Sequence, residues 1–318
     1  MRKLNKKFLA KARVYANFGP PYVFMIMAGR IHAVRVFFQW LARLRHPMRP
    51  DLHTGAISST VELDPEIGVR SLKQHGVSTG LKLKEEVHSE LRESLLSRAC
   101  HGAGDLRYPF LYGDKREAER RYGQRFLQGH YYGIAIPGSP ALRVAADPGL
   151  NRVLREYCGT DLRLVGVRAW WSFVCQASPQ ERLNAAQQFH YDVDDYMALS
   201  VFFYLSDVDA SAGPHIAVRG SHKKKKLHHI WSLSRCRSDD EILQTYGSEN
   251  VQMICGQSGT GFIEDTFCFH KGQEPMGRDR LVFQLRYALH DYGTGADSAH
   301  REWLTADRVP ARVSAARA

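Results

Sequence analysis

The residues of this sequence that are best suited to do chemistry are two histidines and one aspartate. His190 and Asp192 lie two positions apart in Phe189-His-Tyr-Asp, and His270 follows a glycine- and phenylalanine-rich segment. Residues two apart in a strand point to the same side, so the first pair can face one cavity. Two imidazoles and one carboxylate on one face of an ion leave three positions open, a ligand set used with iron(II). The pattern predicts a centre open to a 2-oxo acid and O₂.

An HxD pair is weak support when it stands alone. The chain has 15 histidines, so a later histidine is expected in any case, and a lone histidine in an aromatic strand is usually a core residue. The surroundings strengthen the case. Arg280 lies ten residues after His270 and opens the strand-like segment 280–287. A guanidinium there could bind the distal carboxylate of a metal-bound 2-oxo diacid. Arg286 has the same strand parity and is the main competitor, and Arg278 belongs to the preceding turn.

Most of the elements that must position these residues are β-strands. Short β-branched and aromatic runs are separated by turns without regular intervening helices, which favours an antiparallel double-sheet roll over a parallel α/β sheet. The predicted strands cover 77–83, 162–174, 197–205, 216–218, 251–254, 261–264 and 280–289. Helices are expected within 84–100 and near 150–158. Trp170, Trp171, Tyr196 and Phe203 are expected to divide between the cavity and the core.

Two stretches together resemble the phytanoyl-CoA dioxygenase family. The first, 189–222, contains the HxD pair, Tyr204-Leu-Ser-Asp-Val-Asp, Ala212-Gly-Pro and Gly220-Ser-His. The second, 259–287, contains the later histidine, a glycine-containing loop and the arginine. The resemblance covers roughly 65–290 and nothing in 1–50.

The resemblance implies a specific fold and site. The fold would be mainly β with flanking helices (α+β), on a double-stranded β-helix core of the jelly-roll or cupin-like type. His190, Asp192 and His270 would bind Fe(II), and Arg280 would bind 2-oxoglutarate, with O₂ as the second cosubstrate. Some positions depart from the family pattern: Phe189 and Tyr191 replace the common Trp and Gln, the loop before Arg280 is shorter, and Gly272 replaces a Ser that often helps to bind 2-oxoglutarate.

Residues 1–50 form a second region with a different composition. They hold eleven Lys or Arg and no acidic residue, so that 51–318 is left electrically balanced. Residues 22–45 fit a helix with a polar stripe at His32, Arg35, Gln39 and Arg43 and an apolar opposite side. Such a basic amphipathic helix suits an anionic membrane surface. The alternatives are a helix packed on the main domain with a solvated basic side, or a targeting presequence.

These observations bound the organisation and the surroundings of the protein. We expect a basic amphipathic extension, 1–50, and an oxygenase domain, 51–318. The balanced charge of the second part argues against a nucleic-acid binder. The six cysteines show no metal-type spacing and favour idle thiols in a reducing compartment. No segment reaches the ~20 apolar residues of a membrane span, and a signal peptide fits poorly. The cytoplasm is expected, with a peripheral position on the inner face of its membrane as an extension.

The function expected from these features is a 2-oxoglutarate-dependent dioxygenase. Hydroxylation of an aliphatic C–H bond is the default, with desaturation, epoxidation or cyclisation left open. The substrate is a lipid, a lipid-linked glycan precursor or a small metabolite, and the residues do not choose among these. The alternative is a non-catalytic metal- or ligand-binding barrel recruited to membranes. His215 and His222 could line the cavity, although solvent-facing loop positions are the commoner outcome, and the run 223–226 is expected to be a solvated loop.

Overall fold

The fold is built on two antiparallel sheets, as described by a computed structural model that covers residues 18–47, 59–232 and 234–293. The strands are β1 Val61–Glu62, β2 Val77–Leu83, β3 Cys100–Gly102, β4 Pro109–Phe110, β5 Gln128–Tyr131, β6 Arg163–Ser172, β7 Ala198–Tyr204, β8 His215–Val218, β9 Val251–Ile254, β10 Thr260–Asp265, β11 His270–Gly272 and β12 Arg280–Ala288. Within the described residues the larger sheet has the order β1-β2-β10-β7-β12-β6-β5-β3-β4, and the smaller has the order β11-β8-β9. All the pairings are antiparallel.

The order of the strands is that of a double-stranded β-helix. The HxD segment pairs with the smaller sheet through a bridge between His190 and His270, although it is too short to count as a strand. With this segment as the second of eight, taken in chain order from β6 to β12, one sheet runs first-eighth-third-sixth and the other second-seventh-fourth-fifth. This interleaving closes two Greek keys into a jelly roll. The expectation of a double-stranded β-helix is confirmed.

The helices form one layer against the larger sheet and a second layer near the HxD segment. They are α1 Pro20–Ala28, α2 His32–Arg45, α3 Pro65–His75, α4 Glu85–Leu96, α5 Lys115–Tyr122, α6 Pro140–Ala145, α7 Pro148–Cys158, α8 Pro179–Asn184, α9 Leu227–Trp231 and α10 Asp239–Tyr246. In the described part of the chain, no helix has both the length and the hydropathy to cross a membrane. The strands predicted from the sequence agree with the structure to within one residue, except that the strand predicted over 162–174 ends two residues earlier, at Ser172.

Strand parity separates the core from the barrel interior. In β7, Leu199, Val201 and Phe203 join the main hydrophobic core, which also contains side chains of α3, α4, α6 and α7. Phe202 and Tyr204 point to the other face, into the barrel. All seven residues of β7 are buried, because the strand is covered on both sides. The same alternation in β6 and β12 decides which side chains reach the candidate site.

The region 22–45 differs from the prediction in two ways. It forms two helices, because the chain turns at residues 29–31, where a Cβ on Gly29 would come within 3.3 Å of Val193 Cγ1. The middle of the polar stripe, Arg35 and Gln39, also faces the barrel, whereas His32 and Arg43 are exposed. Arg35 is 3% exposed, and Phe37 on the opposite side is 53% exposed. The sequence has the right helical pattern, and the helix packs on the main domain, but its basic side is not uniformly solvated. The membrane interpretation stays a prediction.

The polar stripe faces inward because backbone carbonyls of the barrel accept its hydrogen bonds. Arg35 donates to Asp195 O and Gln39 to Tyr196 O, both at 2.9 Å. Arg43 donates to Cys158 O at 2.7 Å. The Arg35 guanidinium also lies 3.6 Å from Asp265. These bonds satisfy carbonyl groups that would otherwise lack partners at this end of the barrel.

The first helix packs directly behind the HxD segment. Tyr22, Met25 and Ile26 share a hydrophobic cluster with Tyr191 and Val193. Residues 20–45 are therefore part of the support for the candidate site. The remainder of the expected extension, 1–17 and 48–50, and the boundary at residue 50 lie outside the described residues, so the division at that point stays a prediction.

The lysine run 223–226 is not uniformly solvated. The ammonium group of Lys225 is enclosed by the rings of Tyr191, Phe267 and Phe269, with distances to the ring centroids of 4.1, 4.6 and 3.9 Å. Its neighbours Lys224 and Lys226 are exposed, as expected. The six cysteines are all free thiols.

Candidate metal centre

The structure brings His190, Asp192 and His270 together inside the barrel. The two histidines exchange backbone hydrogen bonds across the smaller sheet, at 2.9 and 2.8 Å. The Asp192 carboxylate lies 3.9 Å from His190 Nε2 and 3.8 Å from His270 Nε2. One ligand atom from each residue lies within 4.8 Å of the other two. Imidazole nitrogen and carboxylate oxygen bind divalent ions at about 2.0–2.2 Å, so all three donors can reach a single ion.

Backbone carbonyls orient the two imidazole rings. His190 Nδ1 lies 2.9 Å from Gln188 O, and His270 Nδ1 lies 3.0 Å from Cys268 O. A carbonyl can only accept a hydrogen bond, so each Nδ1 carries the proton and each Nε2 carries a lone pair. Both lone pairs belong to the nitrogens nearest Asp192. This carbonyl support is a common arrangement around metal-binding histidines.

The electrostatics favour the protonation states that bind a metal. Burial alone would raise the pKa of Asp192, but the neighbouring His190 and His270, with Arg235 and Arg286, lower it below the usual value. Burial lowers the pKa of His270. A charged carboxylate and a neutral imidazole are the ligand forms, since protons and metal compete for the same lone pairs. The donor set therefore fits a divalent transition metal.

Of the three arginines considered from the sequence, Arg280 is the one that lines the same cavity. Its guanidinium donates to Gly213 O and, from Nη2, to Ser172 Oγ at 3.3 Å. Its Nε is buried without a partner among the described residues. The competitors lie elsewhere: Arg286 Nη2 donates to Asp194 Oδ2 at 2.7 Å, and Arg278 pairs with Asp209 on the surface. Parity alone left Arg286 open, and the pairing with Asp194 decides the matter.

Gly272 has a physical reason to be glycine here. A Cβ at this position would lie 3.0 Å from Arg280 Nη2. Any larger residue would therefore crowd the guanidinium. Whether the missing serine affects the binding of 2-oxoglutarate stays a prediction.

The cavity that holds these groups is small, with a volume of about 180 Å³. It is lined by Gln128, His130, Arg168, Trp170, Ala185, Ala186, His190, Asp192, Phe202, Tyr204, His215, Phe262, His270, Gly272, Arg280, Val282 and Gln284. Pockets for drug-sized ligands span ~300–1,000 Å³, so only one end of a large substrate would fit into this cavity. Phe202 and Phe262 stack at 4.8 Å and form an apolar wall.

Two residues on the even-numbered face of β6 also line the cavity. The sequence did not single out Arg168, and it could not place Trp170. Trp170 lines the cavity, whereas Trp171 lies in the core, where its Nε1 donates to Tyr131 Oη at 3.1 Å. Arg168 lies 5.5 Å from the Trp170 ring centroid. Phe203 is a core residue, and Tyr196 packs on Phe38 of α2 with ring centroids 4.0 Å apart.

A buried His–Glu pair lies beside His270. His215 Nε2 is 2.9 Å from Glu264 Oε2, and Glu264 Oε1 is 3.8 Å from His270 Nδ1. Burial raises the pKa of Glu264 to about 8 and lowers the pKa of His215 to about 3, so both groups favour their neutral forms. The expectation of solvent-facing histidines was wrong, because His215 and His222 are 7% and 4% exposed. Only His215 of the two lines the cavity. A glutamate inside the apolar run 261–267 was the sequence signal for Glu264.

A second group with three potential donors lies away from the cavity, in α9 and α10. It consists of His228, His229 and Glu241. Arg237 Nε lies 3.1 Å from Glu241 Oε1, and His229 Nδ1 is 2.9 Å from Tyr246 Oη. Because the Glu241 carboxylate already has Arg237 as its cationic partner, we interpret this group as a hydrogen-bonded cluster. Its histidines can serve as controls for those of the centre in the barrel.

Comparisons with known proteins give similarities of structure but not of sequence. No protein-family profile matches the chain, and no curated protein matches it significantly. AviO1 from Streptomyces viridochromogenes has a TM-score of 0.44 at 15% identity, over 71% of this chain and 96% of its own. HygX from Streptomyces hygroscopicus, with nickel, 2-oxoglutarate and hygromycin B bound, has 0.46 at 17% identity, over 71% and 87%. The epimerase SnoN, in complex with Fe³⁺, alpha-ketoglutarate and nogalamycin RO, has 0.47 at 14%, over 70% and 82%. The fold assignment rests on the strand pairing, and similarities this distant assign neither a family nor an activity.

Proposed function

We propose that this chain is a non-haem iron(II) oxygenase that uses 2-oxoglutarate and O₂ to oxidise a small organic substrate. The observation that carries the proposal is the convergence of His190, Asp192 and His270 on one cavity that also contains the buried guanidinium of Arg280. Three donors on one face leave open positions for cosubstrates. Arg280 has no carboxylate partner in the described part of the chain, and a buried cation of this kind suits an anionic ligand.

In this proposal each residue has a defined task. His190, Asp192 and His270 would hold the ion, which when bound supplies the redox chemistry that activates O₂. Arg280, held by Gly213 O and Ser172 Oγ, would bind the distal carboxylate of 2-oxoglutarate. Phe202, Phe262 and Val282 would keep water from the reacting centre. Trp170 and Arg168 would contact the organic substrate at the opposite wall, which suits a polar or cyclic molecule.

The kind of oxidation and the substrate are proposed more coarsely. Hydroxylation of an aliphatic C–H bond is the default outcome, and desaturation, epoxidation, cyclisation or epimerisation would need the same residues. A small metabolite, a lipid or a lipid-linked glycan precursor could present one reactive end to a cavity of about 180 Å³. The lipid alternatives require that the protein reach a membrane surface.

The test is an anaerobic titration of the purified protein with Fe(II) and 2-oxoglutarate, followed by visible absorption. We expect a charge-transfer band from the chelate in the wild type. His190→Ala and Asp192→Ala should lose it, because removal of one ligand breaks the facial set. His228→Ala is the matched control, since it removes a histidine from the other three-donor group and should keep the band. A folded wild type without a band, or a band that survives Asp192→Ala, would overturn the proposal.

A further inference from the structure

The surface formed by α1 and α2 has its apolar side chains on the outside. Residues with more than half of their area exposed share one side of the two helices: Phe24 at 55%, Met27 at 70%, Phe37 at 53%, Trp40 at 51% and Leu44 at 58%. They are termed the outer apolar face. Their spacing of three or four within each helix makes one stripe. Phe24 and Phe38 join the two helices, with ring centroids 6.2 Å apart, and Phe37 lies 6.0 Å from Trp40.

This face is exposed because the barrel binds the polar side of α2. Arg35 and Gln39 donate to barrel carbonyls, Arg43 donates to the carbonyl of Cys158 at the end of α7, and Arg35 is also paired with Asp265. Rotating α2 to bury the apolar stripe would strip these carbonyls of their donors and leave Asp265 without its cation. Such losses cost more than the apolar burial gains. These contacts hold α2 in one orientation, and the outer apolar face is therefore exposed in the folded protein.

Exposed basic side chains border this face. The first fifty residues contain no acidic residue, and Arg2, Lys3, Lys6, Lys7, Lys11 and Arg13 immediately precede α1. Arg45 and His46 are exposed at the end of α2.

A third apolar element lies beside the corner between α1 and α2. Arg30 Nη1 donates to Ser232 O at 2.9 Å, which ties the corner to the end of α9. On α9, Leu227 is 73% exposed and Trp231 is 72% exposed. Exposed Trp, Phe and Leu next to exposed Lys and Arg is the composition of a surface that enters a membrane interface.

We propose that the outer apolar face docks on the surface of an anionic membrane, with the aromatic and aliphatic side chains at the headgroup level and the surrounding cations on the lipid phosphates. Charge complementarity favours this occupant, since the exposed basic side chains that border the face match a sheet of phosphates. None of the described helices can span the bilayer, so the contact is peripheral. The proposal stands independently of the metal centre, whose residues take no part in it.

The test is cosedimentation of the full-length protein with vesicles. We expect recovery with phosphatidylcholine vesicles that contain about 30 mol% phosphatidylglycerol, and little with phosphatidylcholine alone. Binding should fall at about 0.5 M salt, because screening weakens the ionic part. Phe37→Glu/Trp40→Glu should lower the bound fraction at least tenfold at low salt. Met276→Glu is the control: Met276 is 76% exposed, but it precedes β12, whereas α2 contacts the barrel near the strand's other end.

A second measurement identifies the inserted residue. Brominated phosphatidylglycerol should quench part of the tryptophan fluorescence of the wild type on vesicles. Trp40→Phe should still bind, because it keeps an aromatic ring, but should lose most of this quenching. Retention of the Fe(II)–2-oxoglutarate band in the double variant would show that loss of vesicle binding is not loss of the barrel.

Three results would overturn the proposal. The first is no recovery of the wild type on anionic vesicles at low salt. The second is equal recovery of wild type and Phe37→Glu/Trp40→Glu. The third is a wild-type dimer that the double substitution converts to a monomer without any vesicle binding, which would make this face an interface between two copies of the chain.

Discussion

The barrel interior and the outer apolar face are unusual in opposite ways. The barrel interior buries polar atoms, and the outer apolar face exposes apolar side chains to solvent. Inside the barrel, polar atoms of Arg280, Glu264 and Gln284 are buried without a partner among the described residues. On α1 and α2, large apolar side chains are in solvent while a guanidinium is 3% exposed beneath them. An ordinary core pairs its polar atoms, and an ordinary helix hides its apolar stripe.

The difference indicates which kind of partner would stabilise each region. A guanidinium inside a cavity is stabilised by an anion small enough to enter it. An apolar stripe on the outside is stabilised by an extended apolar surface. Arg280 and Arg35 illustrate the contrast, since both are buried arginines but, among the described residues, only Arg35 has a carboxylate partner, Asp265. The first is free to bind a ligand, and the second is structural.

The largest expected effect is on folding stability and comes from the structural arginine. Arg35→Met leaves Asp265 buried without its cation, so we expect a loss of about 3 kcal/mol in the free energy of unfolding. Urea denaturation measures it. Arg45→Met in the same helix removes an exposed charge and should change stability by less than about 0.5 kcal/mol. Equal effects of the two substitutions would mean that the inward polar stripe does not hold α2.

The next effect is on cosubstrate binding and comes from the other arginine. Arg280→Met should weaken 2-oxoglutarate binding to the Fe(II) form by roughly a hundredfold, since a buried charge-assisted partner is worth about 2–5 kcal/mol. The charge-transfer band gives the half-saturation. Arg286→Met lies on the same strand face but removes a partner of Asp194. If this variant weakened binding as much as Arg280→Met, the assignment of the carboxylate partner would be wrong.

A third prediction concerns Lys225, a buried cation close behind the HxD segment. Burial lowers the pKa of Lys225 to about 7, whereas the unfolded chain keeps the usual value near 10.5. Between these values the unfolded state binds more protons, so stability should rise with pH from about 7 to 10. Lys225→Met should flatten that slope and stabilise the protein at pH 7 by on the order of 2 kcal/mol.

Lys226→Met is the control for this pH dependence, because its side chain is exposed. Thermal unfolding midpoints over the same pH range measure both variants. If the stability of Lys225→Met still rose with pH over this range, other titratable groups would be the cause.

The smallest expected effect concerns the outer apolar face. Phe37→Ser and Trp40→Ser should change the free energy of unfolding by less than about 0.5 kcal/mol each, because both side chains are in solvent. The neighbouring Phe38 stacks on Tyr196 with an interplanar angle of 8°. Phe38→Ser should therefore cost at least about 1 kcal/mol more. A large loss from Phe37→Ser would show that this face is covered within the protein.

Much of the barrel could be predicted from the sequence because its strands carry local signals. Alternating and β-branched runs between turns placed β2, β7, β9 and β12 within a residue of their observed bounds. The residues of the centre were found by type and spacing, and the structure brings all four into one cavity. Their roles as iron ligands and 2-oxoglutarate partner stay predictions.

What could not be predicted depended on contacts between distant residues. Helical periodicity in 22–45 shows two faces, but it cannot say which one the barrel takes. The answer depends on carbonyls at Asp195, Tyr196 and Cys158, more than a hundred residues away. The aromatic enclosure of Lys225 and the pairing of Glu264 with His215 have the same origin.

The sequence by itself determined the positions of the strands, the types of the donor residues and the charge of the first fifty positions, because each of these is a local property of neighbouring residues. Only the tertiary structure decided which arginine reaches the cavity and which side of α2 is buried. Both choices are settled by partners brought together by the fold, Asp194 for Arg286 and Asp265 for Arg35, and sequence spacing carries no information about such pairs.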